Sequence, residues 1–212
     1  MAAFDYKKEY RDLYQPKAEP AFVTVPAMRF LAVRGAGDPN APGGSYHDAV
    51  GLLYALSYTL KMSRLSGHAM PGAFPYVVPP LEGLWWMADG TPGVDYTNKA
   101  GFCWISMIRL PDFVSPDDVS WAQAEAARKK GINTLGAEIL FYNEGPCVQC
   151  MHLGAYDDEP ATVARIDAFA AANGLVLDLS GPRRHHEIYL SDPRRCAPEK
   201  CRTILRHPVE AR

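Results

Sequence analysis

The sequence predicts an α+β fold of two tandem strand-helix-strand-strand modules with a ligand cleft between them, and three observations carry that prediction. Apolar residues make up 48% of the 212-residue chain and charged residues 22%, enough for a sizeable core without disulfide or metal staples. Short apolar runs of strand type alternate with two longer helical patterns. The two halves also share an order, strand, Gly-Ala-x-Asp turn, capped helix, then two strands, and the turns read Gly35-Ala36-Gly37-Asp38 and Gly154-Ala155-Tyr156-Asp157. A duplicated unit of this kind pairs into a sheet with a helix pair on one side, and the seam is the natural ligand site. The chain divides accordingly into an arm (residues 1–20), a first module (21–135) and a second module (136–212) within one domain.

Each element follows from local chemistry. Tyr6, Tyr10 and Tyr14 form one stripe of a short helix that stops at Gln15-Pro16 and packs on the body. Residues 28–34 are strand-like, and the Gly- and Pro-rich stretch 35–44 is a loop. Ser45 offers an N-cap, with Asp48 completing a weak capping box, for a helix over 46–63 whose buried stripe is Leu52, Leu53, Leu56 and Leu60. Residues 76–87 are β-like but contain Pro79-Pro80, which predicts an edge strand or a bend. A strand over 102–110, a turn over 111–116 and a surface helix over 120–130 come next. The runs 137–142 and 147–153, separated by Asn143-Glu144-Gly145-Pro146, predict a hairpin. A second helix opens at Asp157-Asp158-Glu159-Pro160 and stops at Asn173-Gly174, and strands over 175–179, 185–190 and 201–206 complete the chain.

Composition excludes several classes. Lys and Arg number 22 against 24 Asp and Glu, so the formal charge of −2 supplies no footprint for nucleic acid or anionic lipid. No apolar run approaches the roughly 18 residues of a membrane span. The N-terminus shows neither a secretory nor a transit pattern, so a cytoplasmic protein with reduced cysteines is expected. Cys147-x-x-Cys150 with Cys196-x4-Cys201 suggests zinc, but in an alternating strand Cys147 and Cys150 point to opposite faces, so no metal site is expected. Walker, GxGxxG, GxSxG and HExxH patterns are absent, and no cofactor is expected.

The residues left to carry chemistry are aromatic and acidic. Tyr54 and Tyr58 lie at i, i+4 on the first long helix, Trp85-Trp86 end the proline-bent segment and Trp104 sits mid-strand; they suit either the core or the walls of a pocket for a flat ligand. In His185-His186-Glu187-Ile188-Tyr189-Leu190, His186 shares a face with Ile188 and Leu190, so Glu187 projects with His185 and Tyr189 to the other side. Periodicity does not say whether that face is solvent or ligand; if ligand, a carboxylate among aromatics has its pKa raised and suits a general base. Three acids at residues 157–159 exceed the needs of a helix start, so one is free for another task. Glu82 reads as a solvated edge residue.

Longer motifs point further. Tyr6-Lys7-Lys8-Glu9-Tyr10 with Leu13-Tyr14, Ala49-Val50-Gly51-Leu52-Leu53-Tyr54, Val77-Val78-Pro79-Pro80-Leu81-Glu82-Gly83-Leu84-Trp85-Trp86, Met151-His152 with Gly154, Tyr156-Asp157-Asp158-Glu159-Pro160-Ala161-Thr162 and His186-Glu187-Ile188-Tyr189-Leu190-Ser191-Asp192-Pro193 resemble the stand-alone branch of the GyrI-like small-molecule-binding family. The resemblance covers nearly the whole chain and implies pseudo-twofold symmetry of the two modules and an aromatic-walled cleft for a planar small molecule. It further implies a relation to cyclopropanoid cyclopropyl hydrolases, which open the cyclopropane of DNA-alkylating yatakemycin- and duocarmycin-type compounds with water. On matching motifs, Glu187 and Glu159 are the paired carboxylates of that activity, with Tyr54 alongside and Tyr58, Trp85, Trp86, Trp104, Tyr189 and His185 as ligand-binding candidates. The alternative is a protein that sequesters a drug or toxin in the same cleft, or acts on DNA gyrase as the family name suggests.

Overall fold

The computed structural model describes residues 2–211. Nine strands form one sheet: β1 Ala21–Val25, β2 Met28–Ala36, β3 Leu81–Met87, β4 Phe102–Arg109, β5 Ala137–Tyr142, β6 Gly145–Leu153, β7 Leu175–Leu177, β8 His185–Tyr189 and β9 Arg202–Ala211. The helices are two single turns, α1 Tyr6–Glu9 and α2 Arg11–Tyr14, and three longer ones, α3 Ser45–Lys61, α4 Pro116–Lys130 and α5 Glu159–Ala172. Among the described residues no helix is long and apolar enough to cross a membrane.

The main path of the sheet runs β1-β6-β9-β8-β3-β4-β2-β5, with β7 paired to β9. The strand-helix-strand-strand units β2-α3-β3-β4 and β6-α5-β8-β9 meet where β3 pairs antiparallel with β8, Gly83 opposite Glu187 and Trp85 opposite His185. The order is symmetric about that seam, each unit ending in one flanking strand. These flanking strands cross the division at residues 135/136: β1 pairs with β6 and β5 with β2.

Several local expectations are corrected. The hairpin over 137–153 does not form; β5 and β6 run to opposite ends of the sheet, because Glu144 turns inward to a buried histidine instead of staying in an exposed turn. Pro79-Pro80 precede β3, leaving it a central strand with every backbone donor available to the ladder. Gly44, not Ser45, is the N-cap of α3, and the Ser45 hydroxyl bonds Ala36 O at 3.4 Å. Helix α4 starts earlier than residue 120 because Ser115 and Asp118 make a capping box with Pro116 in the first turn. The N-terminal tyrosine stripe breaks at Tyr10 into two turns, with Tyr6 and Tyr14 buried.

Period-two alternation separates the chemistry of the two faces. On the first, α3 and α4 cover Leu31, Trp85, Trp104 and Ile108, while α5 covers Val148, Cys150 and Leu205. On the second, the N-terminal arm covers Phe30, Leu84, Met107, Cys147 and Ile188. Cys147 and Cys150 thus point to opposite faces, as alternation requires.

The second face holds a buried ionic network. His186 donates from Nδ1 to Glu144 at 2.9 Å and from Nε2 to Glu82 at 3.0 Å, and Arg206 reaches Glu144 at 3.3 Å and Gln149 at 3.0 Å. Glu82 is therefore fully buried, not a solvated edge residue. The network also ties down the arm: the Tyr14 hydroxyl donates to Glu82 at 3.1 Å, and Arg206 and Gln149 donate to the carbonyls of Leu13 and Asp12. Burial lowers the His186 pKa, but Glu144 and Glu82 outweigh it and push the ring up to about 9. Folded protein therefore holds this proton more tightly than the unfolded chain. The stability it contributes is complete below the ordinary value of 6.5 and is lost as pH rises through about 9. Chemical denaturation should show that decline in the wild type and a flatter curve over the same range in His186→Gln, which also loses on the order of 3–5 kcal/mol at neutral pH. An identical slope in the variant would rule out His186 as its source.

Candidate active site

The first face carries the second polar cluster, directly behind the first. Glu187 lies beside His186 on β8 but points the other way, toward the N-terminus of α5. That helix starts after a 3-10 turn at residues 156–158, and the three acids diverge. Asp157 is exposed and pairs with Lys99, Asp158 is an N-cap with no side-chain capping bond, and Glu159 turns inward to 0% exposure. His152 fixes this entry, its ring held between Thr162 Oγ1 at 2.9 Å and Ala155 O at 3.0 Å. Gly154 beneath it has φ of 146°, and a Cβ there would stand 3.2 Å from the ring.

Around the two carboxylates the contacts are short. His185 Nε2 meets Glu187 Oε1 at 3.1 Å, and the Tyr96 hydroxyl donates to Glu159 Oε2 at 3.1 Å while lying 3.4 Å from His185 Nε2. Glu159 Oε1 is buried without a partner. The Trp85 indole N–H donates to the Tyr189 hydroxyl at 2.9 Å, passing over Gly83, where a Cβ would stand 2.5 Å from the indole nitrogen. Tyr46 closes the cluster with its ring 5.3 Å from that of Trp85 and edge-on to Trp104.

The electrostatics follow from burial. Desolvation, reinforced by the Glu187 charge and opposed by the Tyr96 hydrogen bond, holds Glu159 well above the ordinary carboxylate range. Burial and then Glu187 push the Tyr189 phenol up as well. Burial drives Tyr96 above the tyrosine range, helped by the charges of Glu159 and Glu187. One proton shared between two buried carboxylates and a ring of neutral phenols is the state this arrangement favours near neutral pH. Glu159, His185 and Glu187 offer ligand atoms within 4.8 Å of one another. Their near atoms are largely spent on each other and on Tyr96, the pattern of a proton-sharing cluster.

Of the residues singled out in the sequence, Glu159, Glu187, His185, Tyr189 and Trp85 converge. Trp104 does not face the cluster directly; it lies flat across Gly35 with 1% exposure, sealed under Tyr46. Tyr54 is half-buried on α3 near Asp192 and Arg194, and Tyr58, one turn on and half-exposed, has its ring 6.4 Å away. Trp86 faces away from the pair and carries the Arg184 guanidinium 5.0 Å from its ring. A cavity of about 460 Å³ opens at this end of the seam, lined by Trp85, Trp86, Arg184, His185 and residues 90–93. Glu159 and Glu187 are not among its lining residues.

Tyr46, Tyr96 and His207 were not singled out. Tyr96 sits in a polar loop framed by Asp95, whose carboxylate accepts from Thr97 N and Oγ1 at 2.9 and 2.6 Å. A lone tyrosine inside an Asx turn is the one local signal that marks it.

Comparison with known proteins agrees with this fold. The chain matches the GyrI-like small molecule binding domain over residues 18–209. It is similar to the structure of a conserved protein from Listeria innocua, at 43% identity and a TM-score of 0.91, over 98% of this chain and all of the other. Two structures described as hydrolases from the same organism are each 42% identical, with TM-scores of 0.88 and 0.89, over 98% and 99% of this chain and the whole of theirs. A search of curated proteins finds no match. With almost its whole length matched, this chain belongs to the GyrI-like small molecule binding domain family.

Proposed function

We propose that the protein is a cofactor-independent hydrolase that opens the strained ring of DNA-alkylating cyclopropanoids of the yatakemycin and duocarmycin type with water. The observation that carries this reading is the buried Glu159–Glu187 pair, one carboxyl held protonated beside the other at the seam. The relatives described as hydrolases support an enzymatic use of the fold. The motifs around both glutamates are those through which the sequence resembles the cyclopropanoid hydrolases.

In these compounds the spirocyclopropane is conjugated to a dienone. Glu187 takes a proton from water as the water oxygen bonds to the unhindered ring carbon. The carbon–carbon bond to the spiro centre breaks, and its electron pair passes into the dienone, giving a phenolate that is then protonated. Glu159, kept neutral beside Glu187, orients the water with its carboxyl group. Tyr54 is the proposed donor to the developing phenolate oxygen. Trp85 holds Tyr189 in place and supplies an apolar wall, its indole N–H already engaged.

The direct test is incubation of a yatakemycin-type cyclopropanoid with substoichiometric protein, following product mass with time. Multiple turnovers to a product heavier by one water, undiminished by a metal chelator, are expected. One-to-one protection without product would instead establish a sequestering protein. Glu187→Gln should cost about 10²–10⁴-fold in kcat with ligand binding retained, and Tyr54→Phe should lower kcat more than it raises KM. Undiminished turnover in Glu187→Gln retires that residue as the base.

Glu159 permits a separate measurement of charge. Its folded pKa is raised above the ordinary 4.5, so the stability it contributes is complete below that value and lost as pH rises through the raised one. Glu159→Gln cannot ionise, so its melting temperature relative to wild type should climb with pH while kcat falls. A constant offset across pH would show that the wild-type carboxyl ionises as freely as an exposed one.

A further inference from the structure

Ring opening leaves on Glu187 the proton taken from water, while the phenolate that needs a proton forms at the far end of the conjugated system. Release and uptake are therefore separated in space, and a base with only 8% exposure must be cleared between turnovers. The first face of the sheet contains a path for that purpose.

His185 Nε2 touches Glu187 Oε1 at 3.1 Å, and His185 Nδ1 meets His207 Nε2 at 2.7 Å. His207 lies opposite His185, one step beyond the His186–Arg206 pair in the β8–β9 register. On its far side, His207 Nδ1 faces Asp167 Oδ1 at 3.5 Å, and neither of these atoms has another partner. The histidines are 1% and 2% exposed, whereas the Asp167 side chain is 46% exposed. Asp167 and Glu159 are eight residues apart on α5, so the helix brings one carboxylate to the buried pair and another, about 12 Å along its axis, to the surface. We propose that His185, His207 and Asp167 form a proton relay joining Glu187 to solvent.

The steps balance. The proton on Glu187 passes to His185 Nε2 as the Nδ1 proton of His185 passes to His207 Nε2. The Nδ1 proton of His207 passes to Asp167 and from there to bulk water. Both rings are left in the other tautomer and are reset by ring rotation. Burial and the neighbouring His185 hold His207 below the ordinary histidine range against the pull of Asp167, so the ring is neutral and keeps one nitrogen free to accept. A purely structural role would not call for two imidazoles and a carboxylate here, since an apolar pair would fill the same space without desolvating polar atoms.

The purpose of the relay rests on the hydrolytic reading, so it is tested by one readout that needs no turnover and one that does. In wild-type protein the imidazole protons of His185 and His207, observed by ¹⁵N-resolved NMR, should exchange with solvent several-fold faster than in Asp167→Asn. That substitution lies at a surface position and leaves the core intact. Equal exchange in the two proteins overturns the relay whether or not the protein is a hydrolase. With a cyclopropanoid substrate, Asp167→Asn and His207→Gln should lower kcat about tenfold or more with KM unchanged, the loss vanishing in single-turnover measurements of ring opening. Imidazole added to His207→Ala should restore part of the rate. Slower exchange without turnover keeps the relay and removes the hydrolase; turnover with normal kcat in Asp167→Asn removes the relay and keeps the hydrolase.

Discussion

Two buried charge clusters sit back to back on the same pair of strands, and the antiparallel pairing of β3 with β8 holds both. His186 enters one face between Glu82 and Glu144, and Glu187 enters the other beside Glu159. Because the side-chain period of a strand is two, a one-residue slip of β8 would send His186 among the phenols and Glu187 into the arm-covered face, separating His186 from both of its glutamates and Glu187 from Glu159. The ionic network is thus best understood as a specifier of register: it has a single satisfied arrangement, and that arrangement puts the carboxylate pair in place. The arm takes part, since Tyr14 and the carbonyls of Asp12 and Leu13 complete the hydrogen bonding of Glu82, Gln149 and Arg206.

The two clusters differ in how their charge is balanced. On the arm-covered face, His186 and Arg206 offset two carboxylates, and Glu144 is held below its ordinary range despite burial. On the helix-covered face no lysine or arginine contacts the pair among the described residues, and the remaining neighbours are phenols and a histidine. Two carboxylates so placed cannot both ionise cheaply, and one keeps its proton. The scaffold that enforces this is rigid at specific points: Gly83 beneath the Trp85–Tyr189 bond, Gly154 beneath His152, and Gly35 beneath Trp104 each give up a side chain so that a ring can lie close.

Local signals were legible in the sequence and long-range ones were not. Alternation at residues 185–190 separated His186 from Glu187, the excess of acids at 157–159 left one of the three free without saying which, the family motif singled out Glu159, and the repeated turn marked the two units. The false hairpin shows the limit. Asn143-Glu144-Gly145-Pro146 has the composition of a turn, yet what decides the path is a partner for Glu144 forty-two residues away. The same blindness made Glu82 look solvated, since nothing local announces a histidine on a neighbouring strand. Tyr96, His207 and Asp167 were missed for a related reason: each is ordinary in its own segment and meaningful only where a loop, a strand and a helix meet.

The cost of the carboxylate pair bears on whether the cleft binds or reacts. A flat, uncharged aromatic ligand would be held by burial and stacking, for which Trp85 and Trp86 line the cavity. A desolvated carboxylate beside a protonated one adds nothing to that ground-state affinity and weakens the fold as pH rises. Its benefit appears only when charge moves: a proton leaving water, a bond breaking, an electron pair passing into a conjugated ring. Interactions stronger in the transition state than with bound ligand accelerate a reaction without tightening binding. A sequestering protein would gain stability by replacing either glutamate with glutamine and would lose no affinity for such a ligand, so the presence of both at the seam fits the proposed chemistry better than simple binding.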